Sequence, residues 1–214
     1  MDSPASPATP VLLVHGLWLR AWTLSRLGAA LRKAGFECRR FDYASVSRCG
    51  KPAVEALLGA LADAPGPVHV VGHSLGGLLV LSALERAPGL RVGRVVCLGS
   101  PLAGSAAAAG MAEKPGLRRL LGPYAALLSG GLTGVPDGRE VGVVAGRLGV
   151  GLGRIFGSFD GPHDGTVAVA ETRVPGLSDH CTVAASHSGL LISAEAARQA
   201  AAFLRHGRFV PLPR

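Results

Sequence analysis

A serine flanked by glycines, Ser74, stands where a short apolar strand is expected to turn into a helix. Residues 68–71 are rich in valine, and the leucines after the serine recur at helical spacing as far as Pro88. Gly72 and Gly76 carry no Cβ atom, so the chain between the two elements can bend tightly and present the serine hydroxyl as a nucleophile above the sheet. The flanking elements carry this prediction, because 31 of the 214 residues are glycine and Gly-x-Ser-x-Gly alone is a weak signal.

The histidines after Ser74 are candidates for the base that must remove the serine proton. His187 lies in a turn between the last predicted strand and the closing helix, and His180 lies in that strand. His163 follows the fifth predicted strand. His206 is near the end of the closing helix, where a favourable interaction with the helix dipole accounts for it. From the residues alone, His187 and His180 both stay open as the base.

The acid that would orient this base is sought among Asp160, Asp164 and Asp179. Asp164 lies in the turn sequence Pro162-His163-Asp164-Gly165, where an aspartate can also serve as an ordinary Asx-turn residue. These acids and the neighbouring histidines could instead hold a metal ion. They lack recognisable ligand spacing, as do the four cysteines, so no metal is predicted.

Runs of strand length alternate with helical patterns along the chain, which implies a parallel sheet with right-handed crossovers. A closing helix is predicted over 190–205, and strands are predicted at 10–14, 36–43, 68–71, 92–98, 141–145 and 180–184. With the strand order 2-1-3-4-5-6, the winding reverses between strands one and three, where ligands bind beyond the carboxyl ends of the strands. The residues after those two strands would then face one crevice.

Five pieces of sequence occur in an order that is familiar from one family. They are Val14-His15-Gly16-Leu17, residues 72–77, residues 98–105, residues 161–165 and His187. In these pieces the chain resembles the α/β-hydrolases, and especially their short lipase and esterase members. The resemblance implies a catalytic triad of Ser74, Asp164 and His187, with Asp160 as the second choice for the acid.

Two backbone N–H groups are expected to stabilise the negative oxygen that forms during attack on a carbonyl. The N–H of Leu75 is one, because the start of a helix leaves it unpaired, and the resemblance implies that of Leu17 as the other. The substrate site is expected to include His15, Gly16 and His73, with His15 shaping the loop that carries Leu17.

The predicted fold is a single doubly wound, mostly parallel sheet of about six strands, forming a minimal α/β-hydrolase domain over residues 10–214. Residues 1–9, rich in Pro, Ser and Ala, are predicted to be a disordered lead-in. Residues 103–139 interrupt the alternation of strands and helices. They are predicted to form either a small lid beside the crevice or an ordinary helix that covers the sheet.

The composition excludes a disordered chain and limits the partners. Hydrophobic residues make up 48% and charged residues 17%, and 214 residues suffice for one domain with a full core. The net charge is +8, but basic residues adjoin only in pairs and aromatics are 5%, so no nucleic-acid partner is predicted. Weak contact with anionic membrane surfaces stays open. No signal-peptide pattern and no membrane-length apolar run are visible, so a cytoplasmic protein is expected.

The expected activity is hydrolysis of carboxylic esters through an acyl-enzyme, as in a lipase-like esterase, with no cofactor. Abundant Leu and Ala around the crevice favour a small-molecule ester with an apolar acyl group. The same triad could serve a thioesterase, an amidase or an acyltransferase. The rival outside enzymes is an inactive hydrolase-fold binding protein, against which the presence of every triad candidate and both flanking glycines argues.

Overall fold

The computed structural model describes residues 9–46, 53–150, 159 and 161–211. Thr9 already belongs to the first strand, so the predicted lead-in can end no later than residue 8. Two features of the sequence predictions lie outside the described residues: the rest of that lead-in and Asp160.

Six strands form one parallel sheet in the order β2-β1-β3-β4-β5-β6. The predicted fold class is therefore confirmed, and the winding reverses between β1 and β3 as expected. The strands are β1 (Thr9–Val14), β2 (Phe36–Phe41), β3 (Val68–His73), β4 (Val92–Leu98), β5 (Val141–Gly146) and β6 (Asp179–Val183).

Helices cover both faces of this sheet. The described helices are α1 (Ser25–Lys33), α2 (Ala53–Ala62), α3 (Leu75–Arg86), α4 (Ala106–Ala112), α5 (Pro115–Arg118), α6 (Ala125–Gly130) and α7 (Ala194–His206). Because successive side chains of a strand point to opposite faces, Val70 packs in the layer of α2 and α3, whereas Val71 packs in the layer of α1 and α7. The central strands are buried on both faces, which explains their continuous valine-rich sequence.

The closing helix begins at Ala194 rather than at the predicted residue 190. The Ser193 hydroxyl accepts a hydrogen bond from the Ala196 N–H at 3.1 Å and so caps the helix. The preceding residues, Ser188–Leu191, form a separate 3-10 turn. Apolar side chains continue through both pieces, so periodicity did not reveal the break.

The segment predicted at 103–139 forms a compact insert between β4 and β5. Its α4, α5 and α6 are joined by short turns, and inner side chains such as Met111 and Leu128 belong to the core that α2 and α3 share. The insert therefore covers this layer of the sheet, as one of the two predictions stated. Movement of the insert as a lid stays a prediction.

The two ends of the insert are held together at a narrow neck. The Ser105 N–H donates to the Leu128 carbonyl at 2.8 Å, and the Leu132 N–H donates to the Leu102 carbonyl at 2.7 Å. Between these bonds, a Cβ on Gly131 would overlap the backbone at residues 102–104. Backbone contact of this closeness is possible only without a side chain.

Two further findings concern membrane-spanning helices and the cysteine thiols. No helix in the described ranges combines the length and the apolar character needed to cross a membrane. Cys38, Cys97 and Cys181 carry free thiols, and Cys49 lies outside those ranges.

Close contact with the end of β1 fixes the position at which α3 begins. A Cβ on Gly76 would overlap the Val14 carbonyl oxygen, and a Cβ on Gly72 would lie 2.6 Å from the Gly77 nitrogen. Glycine is therefore required at both positions by the close approach of neighbouring backbone.

We expect Gly76→Ala to lower the free energy of unfolding by about 1–3 kcal/mol, because the added methyl group must displace β1 or α3. The matched control is Gly59→Ala, since Gly59 is exposed on α2 and a Cβ there would meet nothing within 4 Å. That variant should gain about 0.5–1 kcal/mol from helix propensity. Urea unfolding measures both, and equal midpoints for the two variants would contradict the steric argument.

Candidate active site

Ser74 occupies the sharp turn between β3 and α3. Its backbone angles, φ 55° and ψ −124°, lie in a region that residues with a Cβ rarely adopt. The Ser74 N–H donates to the Leu98 carbonyl at 2.9 Å, and its carbonyl accepts from the Gly77 N–H at 3.1 Å. The strained turn is thus fastened to β4 on one side and to the first turn of α3 on the other.

Asp164 and His187 form a hydrogen-bonded pair. Asp164 Oδ2 lies 2.7 Å from His187 Nδ1, and the His187 N–H donates to the Asp164 carbonyl at 2.8 Å. The other carboxylate oxygen accepts from the backbone N–H groups of Thr166 and Val167, at 2.9 and 2.7 Å. Asp164 is therefore both an Asx-turn residue and the partner of His187, and its carboxylate is 1% exposed.

Gly99 packs closely against the Asp164–His187 pair at the end of β4. It follows β4 with φ 57°, and a Cβ there would lie 3.1 Å from Asp164 Oδ2 and 3.3 Å from His187 Nδ1. The preceding residue, Leu98, holds the Ser74 backbone, so the serine and the pair flank the same end of β4. The hydrogen bonds that His187 makes within the described chain go to Asp164 and His73 and do not include one from Nε2 to the serine hydroxyl. In unliganded sites this last bond is often long and shortens when substrate binds.

The His73 ring forms a hydrogen bond to the backbone of His187. Its Nε2 lies 3.1 Å from the His187 carbonyl oxygen, which can only accept, so Nε2 carries the proton. The two rings are tilted against each other with centroids 4.8 Å apart. Burial lowers the pKa of His73 to about 3, so the ring is neutral at ordinary pH. His73 therefore fixes the backbone of His187 without competing for its proton.

The His15 ring clamps the loop of residues 15–18, here called the β1 loop. The ring is buried and stacked on Tyr43, with centroids 4.2 Å apart. Its Nε2 accepts from the Tyr43 N–H at 3.3 Å, so the proton is on Nδ1, which donates to the Gly16 carbonyl at 2.9 Å. Asp42 Oδ1 lies 3.3 Å from Nε2 and raises the pKa of His15, but the same carboxylate is paired with Arg20. Burial has the largest influence, so the pKa of His15 is lowered.

This clamp also fixes the Leu17 N–H. A trans peptide directs its carbonyl and its N–H to opposite sides, so holding the Gly16 carbonyl determines where the Leu17 N–H points. Gly16 packs directly on the serine, because a Cβ on Gly16 would lie 2.9 Å from Ser74 Cβ. The Leu17 and Leu75 N–H groups donate to no acceptor within the described residues. Their predicted role as oxyanion donors stays a prediction.

Trp18 connects the β1 loop to two other segments. Its φ of 60° is unusual for a bulky residue, and its backbone N–H donates to the buried Ser45 hydroxyl oxygen at 3.0 Å. Its indole N–H donates to the Leu120 carbonyl of the insert at 2.8 Å. Ser45 and the insert therefore both hold the β1 loop in place.

Several other candidate residues take part in local structure instead. His163 Nδ1 accepts from the Gly165 N–H at 3.1 Å. His180 bonds Thr172, as described below, and the Asp179 carboxylate accepts from the Phe209 N–H. Within the described ranges, no three His, Cys, Asp or Glu side chains are grouped so as to hold a metal ion.

The rings of His15 and His73 are buried and bonded to backbone groups, and their predicted place in the substrate site stays a prediction. Tyr43, Ser45 and Gly99 shape the site and were not predicted. The strand order could have indicated them. Because β2 pairs with β1 and β4 pairs with β3, the segments that follow β2 and β4 lie beside those that follow β1 and β3.

The sheet order, the serine in the turn after β3 and the Asp–His pair beside it define a hydrolase fold of the α/β class. A family model described as the alpha/beta hydrolase family matches residues 11–210, and the chain belongs to that family.

Among relatives, the chain is similar to two rice proteins. Esterase PIR7B of Oryza sativa subsp. japonica is 38% identical over 102 residues, which are 41% of this chain and 37% of that protein. The probable esterase PIR7A of Oryza sativa subsp. indica is 37% identical over 91 residues, covering 36% and 34% of the two chains. The aligned part thus spans about a third of the length of these relatives.

Solved structures share the fold. The mature lipase BlEst2 of Bacillus licheniformis superposes with a TM-score of 0.74 at 20% identity, covering 96% of this chain and 94% of the lipase. The pyrethroid hydrolase PytH gives a TM-score of 0.62 at 15% identity, covering 93% and 98%. The sheet and its helices therefore match those of known lipases and hydrolases over nearly the whole chain.

His180 is a partly buried histidine whose ring is also bonded to a neighbouring side chain. The Thr172 hydroxyl donates to the Val169 carbonyl at 2.7 Å, so its oxygen accepts from His180 Nε2 at 2.8 Å. Nδ1 is buried and has no hydrogen-bond partner in the part of the chain that the structure describes, as is also the case in His73. Burial lowers the pKa of His180 to about 4, because a proton on Nδ1 would create an unpaired buried charge.

We expect acid to destabilise the protein through these histidines. Their folded-state pKa values lie below the ordinary 6.5, so the unfolded chain binds more protons and stability falls as pH drops below about 6.5. Each contributes a slope of up to about 1.4 kcal/mol per pH unit. His180→Gln keeps an N–H for Thr172 and should flatten the dependence between neutral pH and about pH 4. Urea unfolding across this range measures it, with exposed His206→Gln as the control, and parallel curves for His180→Gln and the parent would contradict the account.

Proposed function

We propose that this protein is a serine hydrolase that cleaves carboxylic esters through an acyl-enzyme, as a lipase-like esterase does. The observation that carries the proposal is the 2.7 Å bond between Asp164 and His187, beside a serine held in a strained turn. Nδ1 of His187 is occupied by the carboxylate, which leaves Nε2 as the ring nitrogen for the serine proton. The family and the esterase-named relatives support the same reaction class.

In the acylation step, Ser74 Oγ forms a bond to the ester carbonyl carbon while His187 Nε2 takes the hydroxyl proton. Asp164 stabilises the resulting imidazolium and holds its orientation. The carbonyl oxygen becomes negative and accepts hydrogen bonds from the Leu17 and Leu75 N–H groups. When the tetrahedral intermediate collapses, the bond to the alcohol oxygen breaks, and this oxygen receives the proton from His187.

In the deacylation step, water repeats the attack on the acyl-enzyme. His187 takes a proton from the water as its oxygen bonds to the acyl carbon. Collapse then breaks the bond to Ser74 Oγ, which recovers the proton from His187, and the carboxylic acid leaves. The cycle needs no cofactor, since each proton that leaves one group reaches another within the site.

An apolar acyl group is the proposed substrate feature. Trp18 of the β1 loop and Leu120 of the insert stand together beside the Leu17 N–H, and both side chains are exposed. They would offer an apolar wall to a chain that leaves the carbonyl in this direction. A cytoplasmic location is part of the proposal, because free thiols at Cys38, Cys97 and Cys181 suit a reducing compartment.

We expect Ser74→Ala to abolish covalent labelling by a fluorophosphonate and to reduce kcat/KM on p-nitrophenyl esters by at least about 1,000-fold. The matched control is Ser82→Ala, which removes a hydroxyl on α3 well after the turn and should keep both signals.

A panel of p-nitrophenyl esters, thioesters and anilides of equal acyl length separates an esterase from a thioesterase or amidase. Labelling and turnover retained in Ser74→Ala would remove Ser74 as the nucleophile, and absence of both in the parent would favour the inactive binding protein.

We expect His73→Phe to lower kcat by about tenfold to 100-fold with little change in KM, because the His187 carbonyl loses its donor and the base shifts. His73→Gln can supply an N–H at similar reach and should restore part of the loss. Circular dichroism confirms folding of both variants. A kcat in the Phe variant equal to that of the parent would show that the hydrogen bond does not position His187.

A further inference from the structure

The exposed large hydrophobic side chains of the described residues lie at one edge of the sheet. Each belongs to a segment that follows the carboxyl end of a strand, and together they are here called the apolar rim: Trp18, Trp22, Val46, Leu120, Leu148, Val150 and Ile192. Trp22, Val150 and Ile192 are 72%, 74% and 62% exposed. Single exposed hydrophobic residues are ordinary, but their confinement to one edge is typical of an interaction surface.

Parts of the rim adjoin the candidate active site. Trp18 directly follows the Leu17 N–H, and its indole N–H bonds Leu120 across to the insert. Ile192 lies in the segment that leads from His187 to α7. An apolar partner that covers the rim would therefore lie over the entrance to Ser74.

Exposed arginines adjoin the rim in sequence. Arg119 precedes Leu120, Arg147 precedes Leu148, and Arg20 lies between the two tryptophans. Arg20 is paired with Asp42, whereas Arg118, Arg119 and Arg147 take part in no ion pair among the described residues. A surface that joins exposed indoles and aliphatic groups to unpaired guanidinium groups complements the interface of a membrane with anionic headgroups.

We propose that the apolar rim docks on an anionic phospholipid bilayer, with the tryptophans in the headgroup region and the arginines on the phosphates. The aliphatic side chains reach below the headgroups, and the long arginine stems allow their charges to stay at the surface. Docking needs no catalysis. Its consequence, that acyl substrates enter from the bilayer, rests on the proposed function.

Tryptophan fluorescence reports on this surface. Its two tryptophans are Trp18 and Trp22, and both belong to the rim. Tryptophan emission of the full chain is measured during titration with ether-linked phosphatidylcholine vesicles, with and without ether-linked phosphatidylglycerol. Ether lipids contain no ester bond to cleave, so failure of docking is distinguishable from failure of the proposed esterase activity, which soluble esters test.

We expect a blue shift and co-sedimentation with the anionic vesicles, and weaker binding to the neutral ones. Arg118→Glu with Arg119→Glu should weaken binding about 25-fold or more, at about fivefold for each lost arginine. The matched control is Arg91→Glu with Arg208→Glu, which changes the net charge equally at exposed positions on the opposite edge of the sheet. Trp22→Ser should also weaken binding while hydrolysis of a soluble ester is retained.

Three results would overturn the proposal. One is an emission spectrum that vesicles leave unchanged, and another is equal weakening in the two charge-reversal variants, which would show attraction by net charge alone. The third is a blue shift that depends on protein concentration without lipid, since this would assign the rim to contact between copies of the chain.

Discussion

At Ser74 the chain passes from β3 into α3 within one residue, because β1, β4 and α3 approach each other there without intervening side chains. A Cβ on Gly76 would overlap the Val14 carbonyl, and the Ser74 N–H is taken by Leu98 of β4. These contacts maintain a backbone conformation that an isolated serine would avoid. The same approach brings the β1 loop, the serine turn and Gly99 to one edge, so the geometry of the site follows from how closely three backbones can pack.

Burial assigns different tasks to the histidines of the site. His15 and His73 each use one N–H to fix a backbone carbonyl, and burial keeps both rings neutral. His187 differs because the Asp164 carboxylate faces its Nδ1, which leaves Nε2 as the ring nitrogen for the proposed proton transfer. Two rings therefore hold the loops of the site in place, and the third is the one that carries the proton in the proposed reaction.

The sequence predicted the sheet, because strands and turns have short-range signals, whereas the pairing of Asp164 with His187 was implied by the family resemblance. It did not predict the support for these residues. Tyr43 and Ser45 reach the β1 loop through pairing of β1 with β2, which is a contact between distant parts of the chain. The position of His73 in the sequence likewise does not reveal that its ring bonds the distant His187 carbonyl. The Ser193 cap likewise interrupts an apolar pattern that continues on both sides of it.

The neck of the insert has a consequence for how members of this fold can diverge. Since the Ser105–Leu128 and Leu132–Leu102 bonds bring the two ends of the insert side by side, the distance that a replacement segment must span is almost nil. The entropy of closing a loop grows only slowly with its length, so longer or shorter segments could be grafted at this junction while the sheet beneath stays as it is. Under the proposed function, substrate preference could therefore change through this one exchangeable segment while the Asp164–His187 pair and the serine turn stay as they are.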